Sequence, residues 1–151
     1  MARYAATTRV PVDRSRAEVQ RVLRRYGATR VAEAWVPGCA CVQFEIGGLV
    51  AKIEIPMPTS IQVALALKRK RPTEVAIRRA VTQAERQRWR AFVLLLKAKL
   101  ESVELGVVSF EREFMPHLLL QNGTTIGAAM EHALRAGETR LATPALPPKG
   151  G

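Results

Sequence analysis

Val19, Val22, Leu23 and Tyr26 recur at helical spacing, and the positions between them are Gln or Arg. This pattern predicts a helix from Ser15 to Tyr26, opened by a capping box of Ser15 with Glu18 and closed at Gly27, where a left-handed cap suits glycine. The period then changes to two. Thr29 to Val36 reads as a strand ending at Pro37-Gly38, residues suited to a type II turn. Cys39 to Ile46 and Leu49 to Ile55 read as a hairpin closed by Gly47-Gly48, a two-residue loop that accepts positive φ. A loop this short fixes the register, setting Ile46 opposite Leu49, Phe44 opposite Ala51 and Val42 opposite Ile53. All six side chains then fall on one face, leaving Cys41, Gln43, Glu45, Lys52 and Glu54 on the wet one.

Pro56 and Pro58 end the hairpin. The apolar run from Ile61 to Leu67 fits either a short helix or a loop. Pro72 at a first-turn position, with Thr73 and Glu74, opens a long helix that runs to about Gly106. Ile77, Val81, Ala84, Phe92 and Leu95 share one side of it. Phe92 to Leu96 is apolar all round, which predicts a segment covered on every side. Arg88 and Lys99 point toward the apolar side, where each must snorkel out, meet a carboxylate such as Glu45 or Glu54, or face a second chain. Further on come a short helix with Phe110 and Phe114 that breaks before Pro116, a turn at Asn122-Gly123, and a helix from about Thr125 to Ala136 capped by Gly137. Residues 138–151, with three prolines and two terminal glycines, read as a disordered tail.

These elements predict an α+β fold in α-β-β-β-α order. Residues 1–137 would form a single domain, a three-stranded antiparallel meander with the first and long helices on one face. Small C-terminal helices would pack on Phe92 to Leu96. A chain of 151 residues, 48% apolar, can bury such a core without disulfides or metals.

Charge changes the picture. The chain has 24 Lys and Arg against 13 Asp and Glu, a formal net charge of +11, which favours polyanionic partners. The excess is clustered: between Lys68 and Arg90 lie nine basic and two acidic residues. Arg14, Arg21 and Arg25 repeat the spacing of Arg79, Arg86 and Arg90, seven residues and then four. Each set lines one helical face over about 16 Å, a length that meets several phosphates. The adjacent Lys68, Arg69, Lys70 and Arg71 form a second basic block, fit to clamp phosphates or to anchor an acidic protein. The residues expected to contact nucleic acid are Arg21, Arg25, Lys68, Arg69, Lys70, Arg71, Arg79, Arg86 and Arg90. Trp89, between Arg88 and Arg90, is a candidate for stacking on a base, although a helical Trp beside an apolar run is more often core.

Catalytic signals are weak. His117 and His132 are isolated, and no metalloprotease, nucleophile-elbow, phosphate-loop or dinucleotide motif occurs. Cys39 and Cys41 project from one face of a strand and lack further metal ligands nearby, so both read as packing thiols. The expectation is a non-catalytic protein with no cofactor and no metal. Met1-Ala2-Arg3 leads into no apolar stretch, and no apolar run approaches the ~18 residues of a membrane span, which predicts no membrane partner and a cytoplasmic protein.

The run from Arg86 to Gly127, RQRWRAFVLLLKAKLESVELGVVSFEREFMPHLLLQNGTTIG, resembles a family of small uncharacterised phage and prophage proteins, as does AATTRVPVDRSRAEVQRVLRRYGA near the N-terminus. The resemblance covers most of the chain to about Ala136. It implies a phage-encoded protein in the host cytoplasm and carries over no activity or site residues. The element order is also that of double-stranded RNA-binding domains, and phage single-strand annealing proteins combine a β-meander with a long helix. The leading expectation is a phage-encoded non-catalytic nucleic-acid-binding protein, with single-strand binding or annealing as its candidate roles. The alternative is a phage protein that blocks a host enzyme or defence complex by occupying an acidic or nucleic-acid-binding surface. A third reading is a homo-oligomer assembled through Trp89 and Phe92 to Leu96.

Overall fold

A computed structural model describes residues 4–67 and 71–142. The first helix, α1 (Val12–Arg25), starts three residues before the expected cap, with Pro11 as N-cap and no side-chain cap. Ser15 is buried inside the helix, its Oγ without a hydrogen-bond partner, and Glu18 is drawn away to the long helix, so no capping box forms. The C-terminal end follows the sequence: Gly27 has φ +90°, and the Gly27 and Ala28 amides donate to the Arg24 and Leu23 carbonyls, which closes the helix.

Strands β1 (Arg30–Val36), β2 (Cys39–Ile46) and β3 (Leu49–Pro56) form an antiparallel sheet in the order β1-β2-β3. Ile46 pairs with Leu49, Phe44 with Ala51 and Val42 with Ile53, the register set by Gly47 and Gly48, both at positive φ. Ala40, Val42, Phe44, Ala51, Ile53 and Ile55 are buried on one face, and Gln43, Lys52 and Glu54 lie on the other. The Leu119 amide donates to the Val50 carbonyl, so the segment after Pro116 covers the outer edge of β3. The β1 edge is not paired among the described residues. Glu33 of β1 pairs with Val42 and therefore sits on the core face, where it accepts hydrogen bonds from Arg16 (2.7 Å) and Gln20 (3.2 Å) of α1.

After the sheet, Thr59 and Gln62 form a full capping box that opens the short helix α2 (Ser60–Ala66). The long helix, α3 (Glu74–Glu104), begins one step later than expected. Thr73 is its N-cap, accepting from the Ala76 amide, which leaves Pro72 outside. Trp89, Phe92, Val93, Leu96 and Leu100 of α3 pack with Val19 and Leu23 of α1 on the inner face of the sheet. Leu95 is not among them: it is 47% exposed and Leu94 48%, so the apolar run is open on one side rather than covered all round. Ile77, Val81 and Ala84 are only partly buried, because the first half of α3 lies against α2 and not over the sheet.

Lys99 and Arg88 find partners other than Glu45 or Glu54. Lys99 pairs with Glu113 at 2.7 Å, and Arg88 donates to the Pro56 carbonyl at 2.8 Å, at the end of β3. The helix α4 (Phe110–Phe114) packs its aromatics on the sheet, with Phe114 edge-on to Phe44 at 5.6 Å. A tight turn, Met115–His117, leads to α5 (Ile126–Arg135), which rests on that turn and buries no residue in the core. Of the two small C-terminal helices, α4 packs on Phe44 and also against α3, in the same core cluster as Phe92 and Leu96, whereas α5 sits on the turn and not on Phe92 to Leu96. Of the expected tail, only 138–142 fall within the described residues, as irregular chain after Gly137.

Candidate nucleic-acid interface

α1 and α3 run side by side in the same direction. Gln87 bonds the Tyr4 carbonyl, Glu18 bonds Arg90 and Lys97, and the Tyr26 hydroxyl bonds Glu101, so both helices advance together. Their basic residues therefore belong to one layer, the layer on the inner face of the sheet.

The first half of α3 carries the clearest cationic feature. Arg78, Arg79, Thr82, Gln83 and Arg86 line an open groove of about 490 Å³. Their spacing places them on one side of the helix over about two turns. Arg78 is tied to Glu74 at 2.7 Å. Arg79 and Arg86 have no carboxylate within ion-pair distance among the described residues. Gln83 holds the N-terminal segment beside the groove, donating to the carbonyls of Ala6 (3.1 Å) and Thr8 (2.9 Å). Thr82 and Gln83 were not foreseen as site residues; the spacing of Arg78, Arg79 and Arg86 held the signal that would have found them. Arg71 is exposed just before α3. Lys68, Arg69 and Lys70 lie outside the described residues.

The Arg79-Arg86-Arg90 ridge is broken at its last member. Arg90 is 20% exposed and bonds Glu18 at 2.6 Å, and the same carboxylate takes Lys97. Two cations on one carboxylate hold Glu18 far below the usual carboxylate range, at about 2, with the Lys97 and Arg90 hydrogen bonds as the main causes. Arg90 is thereby a tie between α1 and α3. Arg21 and Arg25 of α1 are exposed and have no ion pair among the described residues. Arg25 lines a groove of about 400 Å³ between the two helices, with Lys97 and Glu101. The free cations thus form two clusters flanking the Glu18 tie. The α3 positions beside them, 79 to 86 and 97 to 101, are separated by roughly 16 to 33 Å of helix.

Trp89 is 2% exposed, edge-on to the Phe92 ring, and offers no face to a base. It is a core residue. Far from the basic layer, Lys52, Glu54, His117, Thr125 and Glu131 line a cleft of about 350 Å³ between the sheet and α5. Burial, followed by the Lys99 charge, pushes the His117 imidazole below its ordinary range, and burial pushes the Cys41 thiol up, so both are held uncharged at neutral pH. Among the described residues no group of three or more His, Cys, Asp or Glu is arranged to hold a metal ion, and no helix is long and apolar enough to cross a membrane.

No family model, curated protein or solved structure matches the chain.

Proposed function

We propose that this chain binds nucleic acid by its phosphates and performs no chemistry on it. Arg79 and Arg86 supply the principal contacts, extended by Arg71 at one end of the helix layer and by Arg21 and Arg25 at the other; Lys68, Arg69 and Lys70, outside the described residues, join them as candidates on their charge alone. The observation that carries the reading is the groove in which Arg79 and Arg86 stand without a carboxylate partner among the described residues, beside the Thr82 hydroxyl. Arg78, by contrast, is taken by Glu74 four residues before it. The formal charge of +11 supplies the long-range attraction.

Fluorescence anisotropy with single- and double-stranded DNA and RNA oligonucleotides, each across a salt series, tests the reading. Arg79→Glu with Arg86→Glu should weaken binding to every sequence alike, by at least about tenfold at low salt. The doubled substitution should also flatten the logarithmic salt slope by about 2, one for each lost phosphate contact. Unchanged affinity and slope would remove the groove from the interface. The alternative, a host-protein blocker, predicts instead capture of a protein from lysate that survives nuclease treatment.

A further inference from the structure

The part of α3 that reaches the core has two apolar sides. Opposite Trp89, Phe92, Val93, Leu96 and Leu100, a second row of Ala91, Leu94, Leu95, Ala98 and Leu105 falls within an arc of about 100° at 3.6 residues per turn. Leu94 and Leu95 are about half exposed, Leu105 is 69% exposed, and Ala91 and Ala98 face solvent. Scattered exposed leucines are ordinary, but this row, broken within its arc only by Ser102, gathers three of them on one side of one helix and marks a contact surface. Beside the row runs the groove between α1 and α3, floored by Val22, Leu94 and Ala98 and rimmed by Arg25, Lys97 and Glu101.

We infer that this face binds a second copy of the chain, α3 against α3 in antiparallel orientation about a two-fold axis near Ala98. The leucine row and the groove beside it share Leu94 and Ala98 on one surface, and a two-fold axis lets each copy lay its row along the other's groove. Ala84, Ala91 and Ala98 recur every seven residues, the repeat of a helix-pairing seam, and the small side chains at its centre allow close approach of the two axes. Charge sets the direction. Arg90, Lys97 and Glu104 flank the row at the same seven-residue spacing, and Glu104 is exposed with no ion pair among the described residues. Arg90 and Lys97 share the single carboxylate of Glu18, so that cluster keeps one net positive charge. Antiparallel pairing with the axis between Lys97 and Ala98 brings Glu104 within one turn of the partner's Arg90 on the same flank. Parallel pairing would gather the acidic Glu101-Glu104 ends of both helices.

The pairing does not depend on nucleic-acid binding, and its test uses none. Light scattering coupled to size exclusion, on nuclease-treated full chain over a concentration series, should show a mass rising from 16.7 kDa toward twice that value, about 33 kDa. Leu94→Glu with Leu95→Glu should return the mass to the monomer at every concentration with an unchanged circular dichroism spectrum, since both side chains are half exposed. Glu104→Lys should weaken association about tenfold through repulsion from the partner's Arg90, again without loss of fold. A wild-type chain that stays monomeric overturns the inference, as does a dimer that survives the double leucine substitution. A dimer indifferent to Glu104→Lys overturns the antiparallel arrangement.

Discussion

Glu18 does a job that its place in the sequence hides. Three residues after Ser15 it has the spacing of a capping partner, yet its carboxylate spans to Arg90 and Lys97 and welds α1 to α3. No local pattern reveals this, because the competing cations lie more than seventy residues away. Its folded carboxyl sits near 2 against an ordinary 4.5, so it contributes stability that is fully present above about 4.5 and drains away as pH falls toward 2. Glu18→Gln should cost about 1–2 kcal/mol at neutral pH, and the gap between variant and wild type should narrow at about pH 3. Urea unfolding at the two pH values reads both outcomes; a gap that stays constant would mean the carboxylate's charge is not what stabilises the pair. Arg88 and Lys99 show the same limit. Their need for a partner is legible from the helix face they occupy, but a backbone carbonyl and Glu113 meet it, through contacts that only the folded chain creates.

At the scale of elements, legibility follows how local the deciding forces are. The hairpin's register is correct to the residue, with β3 running one residue past the expected Ile55, because Gly47-Gly48 fixes both turn and register within the stretch that forms it. Which parts of α3 are covered depends instead on what packs there, and α4 turns its rings to Phe44 rather than to Leu94 and Leu95. The seat of α5 is decided by a single close approach. A Cβ on Gly127 would stand 2.7 Å from the Pro116 carbonyl oxygen and 3.2 Å from its Cβ. Gly127→Ala, although it favours helix intrinsically by about 1 kcal/mol, should therefore lift α5 from the turn. Hydrogen exchange should show α5 amides less protected while those of β2 and α3 keep their protection. Unaltered α5 protection would show that the turn can yield at no cost.

For the molecule as a whole, the α+β layout and the basic excess are both plain in the sequence, whereas the division of labour among the cations is not. Arg79, Arg86 and Arg90 look equivalent on a helical wheel, and only the presence of α1 converts Arg90 into an internal tie while leaving the other two free. The open edge of β1 raises a different matter. A strand with one unpaired side is a template on which other chains can assemble into extended sheets, and folded proteins commonly defend such edges with a charge turned inward. Glu33 turns inward from this edge strand and is matched by Arg16 of α1, so an added strand would lie beside a part-buried ion pair. On that ground we expect it to guard the edge. Glu33→Val should leave the monomer's far-ultraviolet spectrum intact yet make the protein scatter light and bind amyloid dye on mild heating; a variant as soluble as the parent would mean that the edge is protected by other means.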